Sequence, residues 1–214
     1  FVFPYSSTRS NLFDLPEKAG YVFGRTGEEN VNQSDNINLH RLTTLAVYSE
    51  DVPTLNELNN YILDSKDKWL ILNYHNIFPH DSKEMNLLRY HNVTATYSVT
   101  PEMFDKQMRL IRNSVYWIAP INVVGRYITE EKGSKLEINN HDNKIFLKAV
   151  NDLDTTIYNI PLTVIFTTDW KIIKIVNSAE DGTYNPRNNS VLINIYPNRE
   201  VMIEDLSGRK EEKE

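Results

Sequence analysis

Few residues in this chain are of a type that could attack, ligate or move a proton. Cysteine is absent, which excludes a thiol nucleophile, a cysteine zinc site and any disulfide. The five histidines, His40, His75, His80, His91 and His141, are scattered, and no two stand at helical metal-ligand spacing. His80 and Asp81 are adjacent, but their polar surroundings read as a solvated turn. There is no Gly-x-Ser-x-Gly elbow and no glycine-rich phosphate loop, and glycine totals 7. His75 has the setting with most chemical interest, inside "WLILNYHNI" (Trp69 to Ile77). Trp69 to Tyr74 reads as a buried strand, and an imidazole where a strand leaves the core has two uses. It can pack, bonded to a neighbouring backbone group, or it can exchange protons with a ligand. At this level both stay open.

The elements that must position such a group divide into two rhythms. From Phe1 to about Gly133, strand-like and helix-like runs alternate. "FVFPY" and "YVFGRT" read as extended, and "SNLFDLPEKAGY" as partly helical, ending at Gly20 as a left-handed cap. Thr54 and Glu57 form a capping-box pattern ahead of Leu55, Leu58 and Ile62 at helical spacing. A polar loop is expected from His75 to Tyr97. Thr100 and Pro101 then open a second helix with Phe104, Met108 and Ile111 on one face. "SVYWIA" reads as another strand and "NVVGRYITEE" as a closing helix. Such alternation predicts a parallel sheet with helices outside it, as an open sheet or a barrel, with reactive groups at the C-terminal strand ends. Beyond Gly133, six short β-rich runs separated by turn clusters predict an antiparallel β-sandwich over residues 135–206. Alternation there places Ile145, Leu147, Leu162, Val164, Ile193 and Ile195 on one buried face. Residues 207–214 read as a disordered polar tail.

Composition narrows the function classes. With 214 residues, 40% hydrophobic and 24% charged, the chain has material for one large domain or two small ones. The net charge of -6 is spread along the chain without a basic stripe, which argues against nucleic acid as a partner. No apolar run approaches the roughly 20 residues of a membrane-spanning helix. Because the chain starts at Phe1 and shows no signal sequence, it is expected to be a processed or incomplete product. "NQS" at Asn32, "NVT" at Asn92 and "NNS" at Asn188 fit the glycosylation pattern. Trp69, Tyr97, Tyr116 and Trp117 are aromatic candidates for lining a sugar groove, with packing between sheet and helices as the other reading.

"WLILNYHNI", then "YSVTPEMFDKQMRLI", then "VYWIAPINVVGRYI" resembles the later part of the polysaccharide deacetylases, carbohydrate esterase family four. The earlier "FVFPYSS" looks like that family's third motif. The likeness covers roughly residues 1–133. It implies the later part of a (β/α) deacetylase-type barrel, followed by a sandwich domain with the boundary near Gly133 to Lys135. It also implies metal-dependent removal of acetyl groups from N- or O-acetylated sugars, with a divalent ion, usually zinc, activating a water. His75 matches the late histidine that protonates the leaving group. The backbone N–H of Tyr5 matches a group holding the oxyanion. Trp69 and Tyr97 become candidates for sugar contact. A secreted, periplasmic or cell-surface location follows from the same likeness.

This sequence departs from the family's pattern in definite places. Val2 stands where the third motif carries arginine, and Asn73 where a leucine precedes the late histidine, leaving Leu72 as the candidate for the acetyl pocket. The family's Thr-Phe-Asp-Asp run and its spaced histidine pair occur nowhere in the chain. The chain is therefore expected to bind no metal alone, and to pack against another polypeptide, most simply an N-terminal half of the same protein, that completes the barrel. The alternative is a non-catalytic carbohydrate-binding or structural protein on the same scaffold.

Overall fold

A computed structural model describes residues 1–4, 12–33, 35–48, 53–79, 81–84, 97–170, 172–180, 183–185 and 188–207. The chain separates into two units, Phe1–Ala119 and Pro120–Glu214. It is a mixed α/β protein with parallel and antiparallel sheets.

The first unit is built on short parallel pairings. Strands β1 (Arg25–Glu29), β3 (Leu42–Val47) and β5 (Leu72–Tyr74) form one sheet in that order. Val2 forms a parallel bridge to Arg25 on the outer side of β1. Directly after β5, strand β6 (Asn76–Ile77) pairs in parallel with β7 (Ser98–Val99). Spatial neighbours thus follow chain order, and each strand hands on to the next in one direction. β3 meets β1 through Leu42 and Thr44, and meets β5 further along, through Leu45 to Val47. The run from Leu72 to Ile77 meets β3 first and β7 last. The register of β1 against β3 shifts between Arg25 and Glu29. Among the described residues the sheets do not close into a barrel.

Two helices cover one face of this sheet. α1 (Leu15–Lys18) is a single turn ending before Gly20, whose φ of 79° is the left-handed conformation expected of it. In α2 (Leu55–Leu63), Thr54 Oγ1 accepts from the Glu57 N–H at 3.2 Å, and Glu57 Oε2 accepts from the Thr54 N–H at 2.8 Å, the expected capping box. In α3 (Pro101–Arg112), Thr100 Oγ1 accepts from the Met103 N–H. Leu58 and Ile62 of α2 pack with Leu45, and Leu70, Leu72, Leu110, Ile111 and Tyr116 join them.

Several sequence expectations change here. Trp69 to Tyr74 is not one strand: β4 (Lys68–Trp69) pairs antiparallel with β2 (Asn32–Gln33), and only Leu72 onward joins the parallel sheet. Extended pairing begins at Arg25 rather than Tyr21. Gly24 bonds to the Leu39 carbonyl and approaches His40 so closely that a Cβ would collide with its carbonyl. The stretch "SVYWIA" forms no strand, and Val115, Trp117 and Ile118 are exposed. β3, the central strand of the unit, went unread although its Leu-Thr-Thr-Leu-Ala-Val run has strand composition. Asn32 is buried, and its amide donates to the carbonyls of Thr43 and Trp69, so it works as a strand brace rather than a glycan acceptor.

The second unit contains two antiparallel sheets around a shared core. One runs β11 (Ile173–Val176), β14 (Glu200–Asp205), β9 (Lys144–Val150), β8 (Lys135–His141). The other runs β10 (Leu162–Thr167), β13 (Ser190–Ile195), β12 (Thr183–Asn185). Leu147, Ala149, Leu162, Val191, Ile193, Ile195, Val201 and Ile203 form the core. Of the six residues expected inside, Leu147, Leu162, Ile193 and Ile195 are buried, and Ile145 and Val164 are half-buried at its margin. The turn cluster after Val176 contains an additional strand, β12.

The helix α4 (Ile121–Gly133) belongs to this second unit, so the division falls at Ala119 rather than near Gly133. Polar bonds hold it there: Glu130 is fully buried, and both its oxygens accept from the Ile160 N–H, at 3.0 and 2.9 Å. Arg126 donates to the Ile157 carbonyl, and Tyr127 packs on the core. The Asn198 side chain clasps the Asn151 backbone, accepting from its N–H and donating to its carbonyl, with Asn198 at a φ of 62°.

Candidate functional site at the parallel strand ends

A parallel sheet covered on both faces reads apolar on both. The first unit departs from this. Alternation sends Leu45, Leu72 and Tyr74 toward the helices, where Tyr74 packs edge-on against Phe104 at 5.1 Å and donates to Gln107 Oε1. The other face receives Arg25, Glu29, Thr44, Tyr48, Asn73 and His75, together with the buried apolar Leu42 and Ala46. Two side-chain bonds tie that set together: Arg25 Nη1 donates to Thr44 Oγ1 at 3.4 Å, and the Tyr48 hydroxyl donates to Glu29 Oε1.

Register explains the cluster at the strand ends. Val47 pairs with Tyr74, so the next residues, Tyr48 and His75, are level. Asn76 pairs with Ser98, so His75 is also level with Tyr97. The Tyr48 ring lies 6.5 Å from the His75 ring and nearly parallel to it, at 19°. Tyr97 stands 5.0 Å from His75 and 5.4 Å from Tyr48. Burial falls off along the strands. Thr44 is buried, Asn73 and Tyr48 are half-buried, and His75, Tyr97 and Glu29 are exposed. The polar face therefore opens at the strand ends.

The electrostatics fix one proton. The hydrogen bond to Glu29, helped by burial and by the Glu29 charge, pushes the Tyr48 phenol up to about 12. Tyr48 stays protonated at ordinary pH, spends that proton on Glu29, and presents its ring. The site can thus offer aromatic faces, a carboxylate and one exposed imidazole able to exchange protons.

The expected site residues are distributed unevenly. His75 and Tyr97 are brought together. Asn73 shares their face, one alternation step before His75. Leu72 points to the helix side and packs with Leu45 and Leu58, which excludes it from lining this mouth. Trp69 sits in β4, paired antiparallel with Asn32 and outside the parallel sheet that leads to His75. Tyr116 packs in the helix-side cluster, and its hydroxyl donates to the Leu63 carbonyl. Tyr5 lies outside the described residues, as do His80 and His91. Glu29, Tyr48 and Arg25 were missed, because β3 and the true extent of β1 were not read and nothing else aligns them with His75.

The described residues do not fit a metal ion, since nowhere do three His, Asp or Glu side chains converge. No described helix is long and apolar enough to cross a membrane. Comparisons with protein-family models, with curated proteins and with solved structures find no match for this chain.

Proposed function

We propose that this chain is the later part of a carbohydrate deacetylase, acting on N- or O-acetylated sugars, with His75 as the group that protonates the leaving amine or alkoxide. The reading rests on the alignment of His75 with Tyr48 and Tyr97 at the ends of parallel strands. An exposed imidazole at that level can reach a bound ligand. The likeness of "WLILNYHNI" and "YSVTPE" to deacetylase segments supports the same assignment. Because the described residues do not fit a metal, no metal-dependent step is assigned to them. The base and any metal ligands come from a polypeptide that completes the barrel, most simply an N-terminal portion of the same protein.

A second reading, a carbohydrate-binding protein without catalysis, draws on a separate observation: three neighbouring rings stand together at the strand ends. The two readings separate in one assay. The protein, co-expressed with the segment encoded immediately upstream, is tested for acetate release from chito-oligosaccharides and acetylated xylan. Deacetylation that falls on the order of 10²-fold or more in His75→Gln supports the catalytic reading. Activity unchanged in that variant removes His75 from the chemistry, and glycan binding without acetate release favours the second reading.

A further inference from the structure

We propose that Tyr48 and Tyr97 form a stacking subsite for an uncharged sugar ring beside His75, with Glu29 as the residue that positions Tyr48. The inference rests on the glycan reading above, in either of its forms. Tyr48 and Tyr97 approach at 5.4 Å with planes 60° apart, so they make an angled wall rather than a closed stack. His75 borders both rings, at 6.5 and 5.0 Å. The C–H face of a pyranose is apolar and fits such a wall, while its rim hydroxyls need polar partners close by. Such a partner is present as the His75 imidazole.

Free tyrosine side chains at strand ends can swing between rotamers, and fixing one before binding removes that entropic cost from the association. Glu29 does this for Tyr48. It accepts a hydrogen bond from the hydroxyl and sits on the neighbouring strand, so the ring is held at both ends. The same arrangement sets charge preference. Glu29 is exposed at the mouth, and no Lys or Arg among the described residues pairs with it. Arg25, on the same strand and face, is directed at Thr44 near the strand start. A uronic acid would bring its carboxylate against Glu29, whereas a neutral or N-acetylated sugar would not.

Calorimetric titration with chitotetraose, and with tetragalacturonate as the anionic comparator, tests this directly. Wild type should bind chitotetraose and discriminate against the uronate. Tyr97→Ala, at an exposed position, and Tyr48→Ala should each weaken chitotetraose binding by about tenfold, a free-energy step of about 1.4 kcal/mol. Tyr48→Phe and Glu29→Ala should each weaken it about threefold, and the double variant no further, because both remove one anchor. Glu29→Gln, which keeps an acceptor for the hydroxyl, should restore the affinity while relaxing the discrimination against tetragalacturonate. Unchanged melting temperatures separate these effects from misfolding. Wild-type affinity in both alanine variants would overturn the subsite and leave the glycan reading standing. Additive losses in the double variant would overturn the role of Glu29. A wild-type protein that binds neither oligosaccharide would overturn the glycan reading and the subsite together.

Discussion

The ring of His75 lies 5.0 Å from that of Tyr97, tilted by 48°, although the two residues come from different strands. The relationship follows from register. Each residue immediately precedes a strand, and those strands begin level with one another through the pair Asn76 and Ser98. Tyr48 reaches the same level from β3, and Glu29 reaches Tyr48 from β1. One row across four strand segments thus gathers the groups that face solvent together.

The phenols of Tyr48 and Tyr74 are both pushed up to about 12, for different reasons. The bond to Glu29 is the main cause for Tyr48, and burial is the cause for Tyr74. A raised value means the folded chain favours the protonated phenol. The associated stability is whole below the ordinary 10.0 and is lost as pH rises through about 12. Phenolate absorbance during an alkaline titration should show two lagging groups, with Tyr48→Phe removing one. Glu29→Gln should bring Tyr48 back toward the ordinary value and leave Tyr74 in place. A single lagging group in wild type would contradict the assigned contacts.

Glu130 should make the second unit respond to acid in an unusual direction. Burial raises its carboxyl above the ordinary 4.5, while the Ile160 N–H and the Arg126 charge pull it back. With the folded value above the unfolded one, the linked stability is fully present below 4.5 and is lost as pH rises through the folded value. Glu130→Gln retains an acceptor for Ile160 but cannot titrate. The wild-type melting temperature minus that of Glu130→Gln should therefore increase between about pH 7 and about pH 4. A difference that shrinks over that interval would show that the buried carboxyl is stabilised as its anion.

Asn198 combines a left-handed backbone with two side-chain bonds to the Asn151 backbone, at 3.2 and 3.0 Å. Asn198→Gly keeps the backbone permissive and loses the bonds, a cost of about 1–2 kcal/mol. Asn198→Ala loses both features and should cost about 1 kcal/mol more. Urea unfolding should rank wild type above Asn198→Gly and Asn198→Gly above Asn198→Ala. Equal stability of the two variants would mean that the left-handed backbone carries no cost there.

Neighbouring positions in the sandwich should behave oppositely. Ile138 pairs with Leu147 across β8 and β9, yet Ile138 is 56% exposed and Leu147 is 2% exposed. β8 is the edge strand of its sheet and is exposed along its whole length. Leu147→Ala should cost about 2–5 kcal/mol, and Ile138→Thr no more than about 0.5 kcal/mol. Comparable losses in both would mean that β8 is covered in solution.

Legibility in the sequence followed the range of the interactions. The caps of α2 and α3 were readable because Thr54, Glu57, Thr100 and Pro101 act within one turn of their own helices. The six sandwich strands were readable because alternation is also local. What failed was what depends on partners. "SVYWIA" has strand composition, but no described strand pairs with it. Trp69 to Tyr74 looks continuous, yet Asn32 captures its first residue, Trp69, in an antiparallel pair. Helix α4 looked like the last element of the first unit, and its allegiance is decided by the contact of Glu130 with Ile160, which no pattern in either segment announces. His75 and Tyr97 were picked from strand-end position and ring type. Tyr48 and Glu29 were not, since only the register of a strand that went unread places them beside His75.

The central claim is that the row of Glu29, Tyr48, His75 and Tyr97 is a ligand site and that His75 faces the ligand. Imidazole resonances of the labelled protein, followed by nuclear magnetic resonance during a chitotetraose titration, test it most directly. His141, which packs edge-on against Phe146 in the sandwich, serves as the internal control. The account predicts a saturable shift of the His75 ring signals, moving together with Tyr97, while His141 stays fixed. Binding that leaves His75 unmoved, or shifts His141 in its place, would contradict it.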